Sequence, residues 1–163
     1  MKNKVTSRAI GETTYPARNV AFEVNGKAVM PMTNNYWRFV GEVDGAFFKA
    51  DLCSPVWGGQ TASELEIYFN LSDADRKYFP RVLDWGVYET SEGDSYVWML
   101  QTKLDLIDAT ADGWMEIRPI CWKYGIGDVR DPEMDDNPNW GMTPSGPVVY
   151  DWGVNRERES WGD

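Results

Sequence analysis

Two Xaa-Gly steps, each placed between alternating apolar and polar segments, constrain the fold of this chain more than any other feature. Asn25-Gly26 and Asp44-Gly45 are dipeptides that two-residue type I′ turns favour, because both central residues of that turn need a positive φ. Such turns join neighbouring antiparallel strands. The predicted strand pairs are Val20 to Val24 with Lys27 to Met30, and Tyr36 to Val43 with Ala46 to Leu52. The sequence therefore predicts an antiparallel sheet in its N-terminal part.

A helix is predicted directly after this sheet. Thr61 and Glu64 have the spacing of a capping box, in which the two side chains satisfy free amides at the start of a helix. We expect the helix to end near Leu71. Its apolar face would hold Leu65, Tyr68 and Phe69.

The rest of the chain is predicted to contain more strands and a second helix. The predicted ranges are a helical turn at Ser72 to Tyr78, strands at Arg81 to Glu89 and Tyr96 to Leu104, a helix at Trp114 to Tyr124 that Pro119 should kink, a loop at Gly125 to Asn139, and strands at Trp140 to Met142 and Pro147 to Tyr150. A chain of 163 residues without an internal repeat is expected to form one domain. We therefore predict a single α+β domain over 1–163, with loose arms at 1–17 and 155–163.

The sequence contains no histidine, which excludes several classes of site. Without an imidazole there is no His-dependent catalytic triad and no Cys/His zinc site. The two cysteines, Cys53 and Cys121, do not make a disulfide framework, and a reducing cytoplasm is the simpler location. Any chemistry would depend on carboxylates, lysine, backbone amides and a bound metal.

The charge of the chain limits the partners that it is expected to bind. The formal net charge is −10 and the sequence pI is about 4.5. An acidic surface repels nucleic-acid phosphates, so we expect no direct nucleic-acid binding, whereas a basic protein surface would be attracted. The same charge also serves solubility alone. No apolar run reaches the length of a membrane span, which predicts a cytoplasmic protein without a membrane contact.

Four polar residues occur at positions where the predicted elements would place them for phosphate chemistry. Lys49 lies in a strand, in Gly45-Ala-Phe-Phe-Lys-Ala-Asp, and Glu64 follows fifteen residues later on the next helix. Asp151 follows an apolar strand, in Asp-Trp-Gly, and Asn139 precedes it by twelve residues. This order of elements and residues resembles the protein-kinase-like superfamily, in which the last motif is Asp-Phe-Gly.

The resemblance implies a role for each of these residues. Lys49 would hold the α- and β-phosphates of ATP, and Glu64 would orient that lysine. Asn139 and Asp151 would bind Mg²⁺. The catalytic base would be Asp131. The alternatives left open are Asp128, Asp135 and Asp136 for the base, and Glu66 in place of Glu64; each of these side chains also has an ordinary reading as surface charge or as a turn residue.

The sequence also departs from the family pattern. The segment Met30-Pro-Met-Thr-Asn-Asn-Tyr, where a glycine-rich loop is expected, contains no glycine. Asn139 follows Asp131 by eight residues rather than five, and few residues follow Asp151. The expected fold is therefore a kinase-like N-lobe, an antiparallel sheet with one main helix, followed by a truncated C-lobe. It is similar to small kinase-like proteins of tailed phages.

Three functions remain open from the sequence. The first is a degenerate, pseudokinase-type acidic protein that binds a host or partner protein, as a phage-type inhibitor would. The second is a minimal phosphotransferase that uses ATP and Mg²⁺. The third is an unrelated acidic module that mimics nucleic acid. A basic protein is the expected partner in the first case, and the abundant aromatic residues would also support a homodimer.

Overall fold

The computed structural model describes residues 3–9, 20–34, 38–52, 59–90, 93 and 95–153. Within these residues the chain is an α+β protein with antiparallel sheets and two α-helices, as the sequence predicts at this level. The strands are β1 (Val5–Ala9), β2 (Val20–Val24), β3 (Lys27–Ala28), β4 (Met30–Asn34), β5 (Phe39–Val43), β6 (Ala46–Leu52), β7 (Val82–Glu89), β8 (Ser95–Thr102), β9 (Trp140–Thr143) and β10 (Gly146–Val149), and the helices are α1 (Gln60–Asn70) and α2 (Ala111–Lys123), with a short 3-10 helix at Asp75–Tyr78.

Three antiparallel sheets are present in the described part of the chain. Five strands form the largest in the order β4-β5-β6-β8-β7, three form a second in the order β1-β2-β3, and β9 pairs with β10. The two predicted turns have the positive φ that a type I′ turn requires, with φ of 53° and 78° at Asn25-Gly26 and 50° and 73° at Asp44-Gly45. Both hairpin predictions are therefore confirmed.

The described residues divide into two compact units. The first unit holds the described residues of Met1–Ala62 together with Val82–Thr102, and the second holds Ser63–Arg81 with the described residues of Lys103–Val154. The first unit therefore contains the five-stranded and three-stranded sheets, and the second contains α2 and the β9–β10 hairpin.

Aromatic side chains fill the core of the first unit. The ring of Phe22 lies 5.0 Å from that of Phe39 and 5.2 Å from that of Phe48, measured between centroids. Phe48 in turn stacks on Trp98 of β8 at 6.3 Å. All four residues are buried, and they come from β2, β5, β6 and β8, so the three-stranded and five-stranded sheets share one core.

The start of α1 differs from the prediction. The helix begins at Gln60, so Thr61 lies inside it, and the Thr61 hydroxyl has no hydrogen-bond partner among the described residues. The carboxylate of Asp51 on β6 instead accepts hydrogen bonds from the amides of Gly59, Gln60 and Thr61, at 2.7, 2.7 and 3.0 Å. The capping-box prediction is wrong because a buried strand carboxylate already satisfies these amides.

The apolar face predicted for α1 is confirmed only in part. Leu65 and Tyr68 are buried, whereas half of Phe69 is exposed. The Phe69 ring instead packs edge-on against Tyr68, with centroids 5.7 Å apart. The buried face of α1 is therefore narrower than the i, i+3, i+4 pattern predicts.

Helix α2 begins three residues before the predicted start and continues through Pro119. The hydroxyl of Thr110 accepts a hydrogen bond from the amide of Gly113 at 3.0 Å and caps the helix. Because proline has no N–H, residue 119 cannot donate the usual hydrogen bond to the carbonyl of Met115. Pro119 and Met115 both lie on the exposed side of the helix. Solvent can therefore satisfy that carbonyl, which makes an internal proline tolerable.

The expected loose arm before residue 18 includes a regular strand. Residues of β1 pair with β2 in antiparallel register from Val5 opposite Val24, and Val5 is buried in the core of the first unit. The sequence shows little sign of this strand because its other residues are polar or small. The second expected arm, at 155–163, lies outside the described residues.

Gly41 on β5 provides a test of the packing between β4 and β5. A Cβ atom at this position would lie 2.5 Å from Val29 Cγ1 and 2.7 Å from the backbone carbonyl of Met30. Because the backbone cannot move aside without loss of strand pairing, we expect Gly41→Ala to lower the free energy of unfolding by about 2 kcal/mol, measured by urea denaturation. Gly127→Ala, where no atom lies within 4 Å of the added methyl group, is the matched control, and an equal effect of both changes would refute this account.

Candidate functional site

The six residues that the kinase resemblance selects are divided between the two units. Lys49 belongs to the first unit, on β6. The other five, Glu64, Asp128, Asp131, Asn139 and Asp151, belong to the second unit. The geometry within the second unit therefore decides which of these five come together.

Glu64 lies against the Asp-Trp-Gly segment. Its side chain is fully buried, and Oε1 accepts hydrogen bonds from the backbone amides of Trp152 and Gly153, both at 3.3 Å. The Trp152 indole Nε1 donates to the backbone carbonyl of Glu64 at 2.9 Å. One residue of α1 therefore fixes the segment that follows Asp151 through three contacts, so Glu64 and the Asp-Trp-Gly segment do lie together.

Asn139 is the second anchor of the same segment. It adopts a left-handed backbone conformation with φ of 65°. Its carbonyl accepts hydrogen bonds from the amides of Tyr150 and Asp151, at 3.2 and 3.4 Å, and its side-chain amide donates to the carbonyl of Asp128 at 2.9 Å. Asn139 and Asp151 are therefore neighbours through the backbone, and the Asn139 side-chain amide also holds the preceding loop.

The two candidate bases have different surroundings. Asp131 is half-buried, and its Oδ1 accepts the amide of Glu133 at 3.0 Å, as in an Asx turn. Asp128 is exposed and lies 3.7 Å from the guanidinium of Arg130. The carboxylate of Asp131 therefore stabilises its own turn, and a role for either residue as a base stays a prediction.

Lys49 is buried within the sheet of the first unit. Only 4% of the residue is exposed, and the residue lies between Val40 of β5 and Met99 of β8 in the strand register. Its pairing with Glu64 stays a prediction. The segment that corresponds to the glycine-rich loop is strand β4 up to Asn34, which pairs with β5 in antiparallel fashion.

The expected metal site was compared with the side chains available. Asn139 and Asp151 would supply one amide oxygen and one carboxylate. In the described part of the chain no group of three or more Asp, Glu, Cys or His side chains is arranged to hold a metal ion. Magnesium binding by Asn139 and Asp151 therefore stays a prediction.

A cavity of about 440 Å³ lies in the second unit, beside the loop that contains Asp131. Its apolar wall includes Leu106 and Trp140, and three carboxylates, those of Asp108, Asp135 and Asp136, line the remainder. The full lining is Leu106, Ile107, Asp108, Ala109, Pro132, Asp135, Asp136, Asn137, Pro138, Trp140, Gly141 and Tyr150. A cavity with one apolar wall and several carboxylates suits a cationic group on an aliphatic stem.

Two of the acidic residues at this cavity are not equivalent. The carboxylate of Asp135 accepts a hydrogen bond from Arg130 at 3.1 Å and another from the amide of Asn137 at 2.9 Å, so it supports the loop. Asp136 is exposed at the cavity. A ligand would therefore meet Asp136 as an accessible charge, and Asp135 as part of the wall.

Tyr150 closes the cavity with a neutral hydroxyl. Burial raises the pKa of this phenol, and the charge of Asp151 raises it further. The hydroxyl donates a hydrogen bond to the side-chain oxygen of Asn137 at 2.8 Å. Tyr150 therefore positions the loop above the cavity and stays protonated at neutral pH.

The charge around this cavity is strongly negative. Residues 103–154 contain ten Asp and Glu against four Lys and Arg. Ile107, of which 71% is exposed, lies on the rim of the cavity. Ile107 therefore extends the apolar wall of the cavity to its rim.

A buried carboxylate joins the 3-10 helix to the end of α2. Asp75 Oδ2 accepts hydrogen bonds from Lys123 Nζ at 2.8 Å and from the Tyr124 hydroxyl at 2.6 Å. These donors, Lys123 first, lower the pKa of Asp75 to about 2 from its usual 3.8. The ionised carboxylate is therefore the form that stabilises the fold.

The low pKa of Asp75 predicts a pH-dependent contribution to stability. Because the pKa is lower in the folded state than in the unfolded state, the contribution is complete above about pH 4 and disappears as the pH falls through about 2. Asp75→Asn should cost about 2 kcal/mol at pH 7, because it weakens hydrogen bonds to a charged group. The measurement is denaturant unfolding at pH 7 and pH 2 beside the exposed control Asp73→Asn, and an Asp75→Asn deficit that persists at pH 2 would contradict the assignment.

Sequence reasoning missed most of the residues that line the cavity. Asp108 lies between the predicted strand at Tyr96 to Leu104 and the predicted helix at Trp114 to Tyr124, and the sequence suggests Asp135 and Asp136 only as alternative bases. Asp51 and Asp75 were not selected at all. The excess of acidic residues between 105 and 136 is a signal for this surface. The sequence gives no indication that residues 106–109 and the loop that contains Asp135 and Asp136 line one cavity.

Comparison with known proteins adds no relative to this description. No protein-family model matches the chain, and searches of curated proteins and of solved structures find no significant match. Neither helix in the described part of the chain has the length and apolar character needed to cross a membrane.

Proposed function

We propose that this chain is a kinase-like protein that acts by binding a partner protein, and that the surface it recognises on that partner is basic. The observation that carries the proposal is the cavity of about 440 Å³ in the second unit, with its apolar wall and three carboxylates. The binding free energy would come from one buried anchor and from the charges around it.

The chemistry of the cavity selects a lysine or arginine as the anchor. The aliphatic stem would lie along Leu106 and Trp140, and the charged head would reach Asp108 and Asp136. Arginine suits this site better than lysine, because its planar guanidinium stacks on aromatic rings and binds carboxylates with two hydrogen bonds. Ile107 would add an apolar contact at the rim.

The kinase-like part of the proposal is supported by the Asp-Trp-Gly segment. Glu64 binds the amides of Trp152 and Gly153, and Asn139 binds the amide of Asp151. Glu64 and Asn139, to which the resemblance gives roles in ATP and Mg²⁺ binding, thus accept hydrogen bonds from backbone amides. This use of the residues favours a scaffold over a phosphotransferase.

A labelled arginine-rich peptide of about 15 residues, mixed with the purified chain, tests the proposal by fluorescence anisotropy. We expect the double variant Asp108→Asn/Asp136→Asn to bind about tenfold more weakly than the unaltered chain at low salt, since two exposed charge contacts are removed. The matched control Asp73→Asn/Glu133→Gln removes the same charge from exposed positions that do not line the cavity. Equal losses of affinity in both double variants would mean that net charge alone drives the binding, and would overturn the proposed site.

A phosphotransferase is the second candidate, favoured by the proximity of Asn139 to Asp151. If it is right, Mg-ATP should raise the melting temperature of the chain, and Asp151→Ala should abolish that rise. The protein-binding proposal predicts no rise with Mg-ATP. A nucleic-acid mimic, with a host DNA-binding protein as its target, would instead displace DNA from that protein.

A further inference from the structure

Helix α2 carries an exposed apolar stripe on the side away from its buried face. Met115 is 63% exposed and Trp122 is 70% exposed, and the exposed Pro119 lies between them. The spacing of four and then three residues places all three on one side of a helix. The buried residues of α2, Gly113, Ile117 and Cys121, lie on another side. The stripe therefore has the spacing of a helix-packing seam and faces solvent.

Charges beside the stripe are separated by sign along the helix. Asp112 and Glu116 lie in the first half of α2, and Arg118 and Lys123 lie in the second half. The Arg118 guanidinium lies 4.8 Å from the centroid of the Trp122 ring. Because Lys123 is paired with Asp75 at 2.8 Å, the positive charge of the C-terminal half comes from Arg118, while the N-terminal half is negative.

We infer that the α2 stripe is a dimer interface with a second copy of this chain, in which two α2 helices pack antiparallel. The two-fold axis would pass between Arg118 and Pro119. Met115 of each copy would then pack against Trp122 of the other, and the negative half of each helix would face the positive half of its partner. A two-fold interface requires a self-complementary surface, and this stripe has one both in its apolar residues and in its charges.

The same features argue against a basic partner at this position. A uniformly basic protein would be repelled by Arg118, whereas a second copy places the acidic residues Asp112 and Glu116 opposite the half that contains Arg118. The inference does not rest on the cavity proposed above, which lies on other residues of the unit. A helix of thirteen residues is about 20 Å long, so the interface is small and the dissociation constant should be micromolar or weaker.

Sedimentation velocity over a range of protein concentrations tests the interface. We expect a reversible monomer–dimer equilibrium that Trp122→Ser weakens about 30-fold or more, since the residue is a central aromatic anchor and occurs twice in the dimer. Trp85→Ser, which alters another exposed tryptophan on β7, is the matched control and should leave the equilibrium unchanged. A chain that stays monomeric at every concentration, or a dimer that survives Trp122→Ser, would overturn the inference.

Cysteine cross-linking tests the antiparallel orientation. In a Cys53→Ser background, chains with Met115→Cys are mixed with chains with Trp122→Cys and oxidised. The mixed dimer keeps one native Met115–Trp122 contact and brings the two new thiols together, so it should form a disulfide. Neither variant should cross-link with itself, because like positions lie about 10 Å apart along the helix axis. Preferential cross-linking of like positions would overturn the orientation.

Discussion

Replacement of Trp152 by alanine should lower the free energy of unfolding by about 4 kcal/mol, the largest effect that we expect for a single residue of the second unit. Trp152 is fully buried, and its ring packs edge-on against Phe79 with centroids 5.4 Å apart. Its indole nitrogen also donates to the carbonyl of Glu64. The substitution therefore leaves a cavity and removes one buried hydrogen bond. Denaturant unfolding followed by far-UV circular dichroism measures the loss.

Two controls make this prediction specific. Trp122→Ala removes the same side chain from an exposed position and should change stability by less than about 0.5 kcal/mol at low protein concentration. Trp152→Phe keeps one aromatic ring but loses the indole N–H. Its loss of stability should lie between those of Trp122→Ala and Trp152→Ala. A loss below about 1 kcal/mol for Trp152→Ala would show that the Asp-Trp-Gly segment is not part of the folded core.

The sheet was predictable from sequence because local chemistry determines it. Asn25-Gly26 and Asp44-Gly45 specify turns with little dependence on the rest of the chain. The strands β7 and β8 were predicted to within a few residues for a similar reason, since valine and aromatic residues favour strands on both sides of a polar turn.

The helix starts were predicted less well because long-range contacts determine them. Thr61 and Glu64 match a capping box, but Asp51, ten residues before Thr61, satisfies the amides. Glu64 is thereby available for the amides of Trp152, which lies 88 residues away in sequence. No local pattern contains either contact, so propensity reasoning assigned both side chains to the wrong partner.

The candidate site was predictable only in part. The β9–β10 hairpin brings the backbones of Asn139 and Asp151 together, whereas the metal site expected from them stays a prediction. The cavity was not predictable, since Asp108 reaches it through a single bridge between Ile107 and Met142. A bridge of one residue pair leaves no periodic signal in the sequence.

The stability of the Asp-Trp-Gly segment bears directly on the choice between scaffold and enzyme. A catalytic aspartate must present its carboxylate to a metal, and the residues that follow it often move during a catalytic cycle. Here, Glu64 accepts three hydrogen bonds from Trp152 and Gly153, and the carbonyl of Asn139 accepts one from Asp151 and one from Tyr150 just before the segment. A segment fixed in this way is a rigid, buried part of the second unit and leaves little room for such motion.

The second large effect is expected for Glu64. Its size in different variants distinguishes a side chain needed as a hydrogen-bond acceptor from one needed for its negative charge. Glu64→Ala should cost about 3 kcal/mol, because the buried amides of Trp152 and Gly153 would both lose their acceptor. Glu64→Gln keeps the side-chain oxygen and the volume, and should cost about 1 kcal/mol. The exposed Glu66→Ala is the matched control on the same helix, with an expected change within about 0.5 kcal/mol.

A double-mutant cycle completes this test. Glu64→Ala removes the acceptor of two backbone amides, and Trp152→Ala removes the indole bond to the Glu64 carbonyl, so the two changes delete different hydrogen bonds of one segment. Because either loss already loosens that segment, the double variant should be about 1 kcal/mol more stable than the sum of the two effects predicts. Additive losses would mean that the two sets of hydrogen bonds stabilise the fold independently of each other. If Glu64→Gln proves as destabilising as Glu64→Ala, the negative charge itself is required, because an ionised acceptor binds the two amides more strongly than a neutral one.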